Sequence, residues 1–166
     1  MTIKEFNQLS TEEAKAEIFK CCGCTNWAIK LVDNRPFAST DDLKVTSDTI
    51  WISSNLADWK EAFTHHPKIG DVSSLQKKFA TKEWASKEQA GVGGASVDVL
   101  SELASGNLEY EKKFGYIFIV CATGKSAEEM LDLLNKRLPN SPEAELKIAA
   151  REQNKITHLR IDKLFS

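Results

Sequence analysis

Apolar positions along this chain recur mostly at three- and four-residue spacing, the mark of amphipathic helices. "STEEAKAEIFKCC" opens with Ser10 and, three residues on, Glu13, the two halves of a capping box, and predicts a helix over residues 11–22. "NWAIKLVDNRP" predicts a short helix that stops before Pro36. "STDDLKVTSDTIWISSN" begins with cap-type and acidic residues, then runs apolar through Leu43, Ile50, Trp51 and Leu56. "LADWKEAF" predicts a separate helix, halted where His66 precedes Pro67. "TKEWASKEQAGVGGASVDVLSELASGN" reads as a long helix strained around Gly91, Gly93 and Gly94. "SAEEMLDLLNKRL" carries Met130, Leu133, Leu134 and Leu138 on one face. "SPEAELKIAAREQNKITHLRIDKLF" has Ser141 as cap and Pro142 at the first helical position. Only "GYIFIVCAT" lacks the helical period, and it predicts a short, buried, extended segment. One such segment cannot make a sheet. The expectation is an all-α protein with a single helical domain over residues 1–166.

Composition narrows the class further. The chain has 166 residues, 42% of them hydrophobic and 28% charged, as an ordinary globular protein does. A net charge of −2 argues against a protein that works by neutralising nucleic-acid phosphates. No apolar run reaches membrane-spanning length, so no membrane partner is expected. "MTIKEFNQLS" lacks the basic start and apolar stretch of a secretory signal, and the final "LFS" is not a peroxisomal address. A cytoplasmic protein is the expectation.

Two stretches invite chemistry that their context does not support. In "CCGC", Cys21 and Cys24 form a CxxC, which a thioredoxin-like site would place at a helix N-terminus. Here it follows a helix, with Gly23 at the C′ position, where the dipole disfavours a thiolate. Buried packing is the expectation. "CATGKS" ends like a phosphate-binding loop, but the glycine required five residues before Gly124 is replaced by Ile119. A turn with Ser126 as helix cap remains.

Three further stretches offer acid, base and anchor. "FTHHPKIGD" holds two of the three histidines. A metal site built on His65, His66 and Asp71 is one use, although adjacent helical side chains diverge by about 100° and His158 would have to join them. "WASKEQAGVGG" places Glu88, a possible acid or base, and Gln89, a donor and acceptor, just ahead of a glycine-rich break. In "REQNKITHLRIDKLF", Arg160 shares a helix face with Gln153 and Ile156 and can hold a carboxylate through two parallel hydrogen bonds. Each also has a plain structural use, as a helix-end histidine, a solvated glutamate or a surface arginine.

In combination these stretches resemble one family. "HHPKIGD", "WASKEQAGV", "YEKKFGYIFIVCATGKSAEEML" and "ELKIAAREQNKITHLRIDKL" follow in the order and spacing of the 2-oxo-4-hydroxy-4-carboxy-5-ureidoimidazoline (OHCU) decarboxylases of urate breakdown, over nearly the whole chain. The resemblance implies an all-helical homodimer that converts OHCU to (S)-allantoin without metal or other cofactor, as a carbon–carbon lyase. It implies catalytic roles for His66 and Glu88. Substrate contacts are implied for Pro67, Gln89, Arg160 and the segment Phe118, Ile119, Val120, Cys121 and Ala122. The stretch Ala85–Ser86 is implied to line the substrate as well. Family members often carry serine where this chain has Ala85, and Ser86 would point elsewhere on a helix. A metal-dependent hydrolase using His65, His66 and Asp71, or a helical interaction module without activity, are the alternatives, separable by metal content and by OHCU turnover.

Overall fold

The computed structural model describes residues 1–67, 73–77, 79 and 96–166. Short polar side chains set the helix starts. α1 (Ile3–Gln8) begins at a capping box, with Glu5 N donating to Thr2 Oγ1 (3.2 Å) and Thr2 N to Glu5 Oε2 (2.7 Å). It is not among the helices expected above, although Thr2 and Glu5 pair as Ser10 and Glu13 do at the start of α2 (Thr11–Cys22). α3 (Thr25–Asp33) is capped by Cys24, α4 (Thr40–Ile52) by Ser39 and α5 (Leu56–Thr64) by Asn55. α6 (Val97–Phe114) is capped by Ser96 and α7 (Ala127–Arg137) by Ser126. α8 (Pro142–Leu164) has the expected Ser141 start, with Ala144 N donating to Ser141 Oγ (3.3 Å).

The protein is all-α, and among the described residues there is no strand. Two differences from expectation have simple causes. α6 runs seven residues past Asn107 because Leu100, Leu103, Asn107, Tyr110 and Phe114 continue one buried face down to Gly115. Leu56 is exposed because the turn after Ile52 ends the α4 stripe, leaving Leu56 as the first residue of α5. Residues 117–122 are non-helical, and Phe118, Ile119 and Val120 are buried, in keeping with the expected apolar segment. Gly91, Gly93 and Gly94, where the sequence predicts strain, lie outside the described residues.

The chain divides into two compact units, each assembled from separated stretches of sequence. The first comprises Met1–His66, Ile119–Cys121 and Lys147–Ser166. In it α3 packs on α2, α4 and α5, around Ile18, Trp27, Leu31, Leu43 and Phe63. α4 also fixes the setting of α8: Trp51 Nε1 donates to the Ala150 carbonyl (2.8 Å), and Asp48 accepts from Asn154 Nδ2 and pairs with His158 Nε2 (2.7 Å each).

The second comprises Pro67–Phe118 and Ala122–Leu146. Here α6 and α7 meet at Gly106, where an added Cβ would stand 2.6 Å from Leu134 Cδ2. Glu145 is fully buried and accepts from Tyr110 Oη (2.5 Å), Arg137 Nε (2.7 Å) and Asn140 Nδ2 (3.0 Å). The Arg137 guanidinium also lies 4.6 Å from the centre of the Phe118 ring.

Candidate active site

The two adjacent histidines part company at the end of α5. His65 is its C-cap residue and donates its backbone N–H to the Ala62 carbonyl (3.2 Å). Its ring stands edge-on to Phe19, 5.0 Å between centroids. Its Cβ lies 2.6 Å from where a side chain on Gly23 would begin. Gly23 is therefore required twice over: it ends α2 with φ at 77°, and it leaves room for His65. His66 turns instead to α8, where its Nε2 meets Gln153 Oε1 in a short hydrogen bond.

α8 presents Gln153, Thr157 and Arg160 at positions i, i+4 and i+7, one face of the helix. Gln153 and Thr157 are buried, and Arg160 is partly exposed. Gln153 Nε2 donates to Thr157 Oγ1 (3.2 Å), whose hydroxyl donates to the Gln153 carbonyl (3.0 Å). Burial lowers the His66 imidazole from its ordinary value, the nearby Arg160 and His65 charges act in the same direction, and the Gln153 contact opposes them. The ring is thereby biased towards its neutral form, the one that can take up a proton.

The helix-end cysteines line the same part of the unit as packed thiols. Burial raises Cys21 to about 11, against the pull of the Arg160 charge, and raises Cys22, which hydrogen-bonds Thr157, further still. Cys24 serves as the α3 cap, accepting from Trp27 N (3.4 Å). Cys24, Asp58 and Glu61 place one ligand atom each within 4.8 Å of one another, a spacing a cation could use. All three already serve the first turn of α3: Glu61 accepts from Thr25 N (3.1 Å) and Asp58 from Asn26 Nδ2 (2.8 Å). The cluster is a capping arrangement.

His66 and Arg160 are thus brought into electrostatic reach of each other, and Gln153 joins them. Ile119, Val120 and Cys121 belong to the same unit, the first two buried and the third partly so. The Phe118 side chain is taken up by Arg137 and Tyr110 in the second unit, so a contact from Phe118 to a ligand would have to come from its backbone. Ala122 is partly exposed and Pro67 exposed. Ala85, Ser86, Glu88, Gln89 and Asp71 lie outside the described residues. The hydrolase alternative loses its geometry on the histidines alone, since His65 faces Phe19, His66 faces Gln153 and His158 pairs with Asp48. Gln153 is the site residue that motif reading passes over. Its signal is the spacing Gln153-Thr157-Arg160, polar residues on a helix face that packs inward.

A histidine biased towards its neutral form, held by a buried amide and in the field of an arginine, is an arrangement that can exchange a proton with an anionic ligand. The profile of the OHCU decarboxylase family matches residues 7–162, and the chain belongs to that family. It is 42% identical over 149 residues to the uric acid degradation bifunctional protein TTL of Arabidopsis thaliana, an alignment covering 88% of this chain and 45% of that protein. The chain thus spans about half the length of that relative. It is 28% identical over 168 residues to the OHCU decarboxylase of Xenopus laevis, covering 99% of this chain and 95% of that one. Among solved structures it resembles an OHCU decarboxylase crystallised in the presence of (S)-allantoin, with a TM-score of 0.72, 39% identity, and coverage of 90% of this chain and 97% of the other.

Proposed function

We propose that this protein decarboxylates OHCU to (S)-allantoin in urate breakdown, with no metal or organic cofactor. The observation that carries this reading is His66: a neutral-leaning imidazole anchored to Gln153 in the field of Arg160, in a chain of this family. The substrate supplies its own electron sink. The bond from the ring carbon to its carboxylate breaks, CO2 leaves, and the electron pair forms a C=C bond while the C=N pair moves onto the ring nitrogen, which takes up a proton. The hydroxyl proton is then lost as a carbonyl forms, and a proton is delivered to the new CH centre. His66 and Glu88 handle these two protons. Arg160 and Gln89 anchor polar groups of the substrate, Pro67 and the Ala85–Ser86 stretch shape its seat, and backbone N–H groups in residues 118–122 offset charge on the ring. A well-placed donor of that kind contributes about 3 kcal/mol. The reading extends to a homodimer in the cytoplasm. The dimer rests on the family likeness and the location on the sequence, and light scattering tests the former.

Freshly generated OHCU, followed by circular dichroism of the allantoin formed, tests the activity. His66→Asn and Glu88→Gln should each lose about 10²- to 10⁴-fold in turnover while staying folded. His65→Asn should stay near wild type, because its ring packs on Phe19. Arg160→Lys keeps the charge but loses the planar fork, and should still lower kcat/KM. An inactive His65→Asn beside an active His66→Asn would reverse the assignment.

A further inference from the structure

We propose that Gln153 is a positioning residue that fixes the tautomer of His66, with Thr157 as the group that orients it, so that Nδ1 is the ring atom exchanging a proton with the substrate. The inference rests on the reading of His66 as a proton-handling residue. It follows from counting hydrogens. The Thr157 hydroxyl has one proton, and it goes to the Gln153 main-chain carbonyl one turn back (3.0 Å). Thr157 Oγ1 can therefore only accept from the Gln153 side chain, so the partner 3.2 Å away must be the amide NH2. That settles which way the amide points: its oxygen, which has no proton, faces His66. The short contact between His66 Nε2 and Gln153 Oε1 then requires a proton on Nε2. In the neutral ring the lone pair is left on Nδ1.

The orienting network is closed to water. Gln153 is fully buried and Thr157 nearly so. Thr157 also hydrogen-bonds the thiol of Cys22, which burial holds protonated. An amide rotated by 180° would need the Thr157 hydroxyl to turn its proton from the Gln153 main-chain carbonyl to the amide oxygen, and an unprotonated Nε2 to accept from the NH2. The rotated arrangement thus goes with the opposite tautomer, and the Thr157 bond to the Gln153 carbonyl is what separates the two.

The chain has three histidines, so ¹⁵N-imidazole labelling of the full-length protein gives few signals, and loss of one pair in His66→Asn assigns its ring. At a pH where the ring is neutral, wild-type His66 should show a protonated Nε2 and an unprotonated Nδ1. Gln153→Leu, which keeps an apolar core of similar size, should let both tautomers exchange and draw the two shifts together. Thr157→Val should do the same by freeing the amide to rotate. Gln153→Glu, an acceptor only, should retain the proton on Nε2. In OHCU turnover, Gln153→Leu should lower kcat by about ten- to a hundredfold with KM little changed, as loss of a supporting partner does. A wild-type ring protonated on Nδ1, or an unchanged spectrum in Gln153→Leu, would overturn the proposal. The spectrum is read without substrate, so it stands or falls separately from the decarboxylase reading.

Discussion

His66 couples its surroundings to stability as well as to chemistry. Its folded value is lowered, chiefly by burial, so the folded state binds a proton less readily than the unfolded chain, where imidazole titrates near about 6.5. The neutral ring's contribution to stability is therefore complete above that unfolded value. It is lost as pH falls through it and on through the lowered folded value. Urea unfolding at pH 7.5 and at pH 5.5 should show a larger acid loss in wild type than in His66→Asn, and an equal loss in both would contradict the burial. At this scale the sequence tells much about identity and little about partners. "HHP" marks His66 because proline ends the helix, yet nothing local says that its ring meets a glutamine 87 residues away. Arg160 and Gln153 stand on one face by spacing alone, whereas the burial that makes Gln153 matter depends on α4 holding α8 in place.

The helices themselves were legible where a cap and a stripe coincide. Ser10–Glu13, Ser126 and Ser141–Pro142 each announce a start that the structure places at the same residue. α1 carries an equally plain cap but only six residues, too few for a periodic stripe to register. The end of α6 was missed for the opposite reason: "EYEKK" looks polar, while Tyr110 among those charges and Phe114 just after them are buried. Tyr110 is tolerated there because its hydroxyl donates to Glu145, and that carboxylate is in turn held by Arg137 and Asn140. Such a network gains little over an apolar core, but it is costly to break from one side. Glu145→Leu leaves the buried Arg137 charge without this partner and should destabilise by about 3–5 kcal/mol. Arg137→Met combined with Glu145→Leu should cost less than Glu145→Leu alone, since it removes the buried charge along with its carboxylate. Denaturant midpoints of wild type, Glu145→Leu and the double variant decide this, and a double variant less stable than Glu145→Leu would mean the pair does not act as one.

Across the whole molecule, both units are woven from chain segments that alternate along the sequence. The first contains both ends of the described chain and the three residues Ile119–Cys121, which sit between stretches of the second. α8 itself has Glu145 in the second unit and Gln153 in the first. α8 runs through both units as one continuous helix, unlike the exposed linkers that join independent domains. We therefore expect one cooperative unfolding transition, as the single-domain reading of the sequence implies. Intrinsic chromophores report on the two parts separately. Trp27, Trp51 and Trp59 lie in the first unit, and both tyrosines, Tyr110 and Tyr116, lie in the second. With Trp84→Phe as the background, tryptophan fluorescence follows the first unit, and the tyrosine signal in near-ultraviolet circular dichroism is read for the second. Glu145→Leu, placed in the second unit, should lower the midpoint seen by tryptophan as much as that seen by tyrosine. The shift should be about 2–4 °C per kcal/mol lost for a chain of this size. A tyrosine transition that moved down alone, with tryptophan unmoved, would show two separately folding parts and end the single-domain reading.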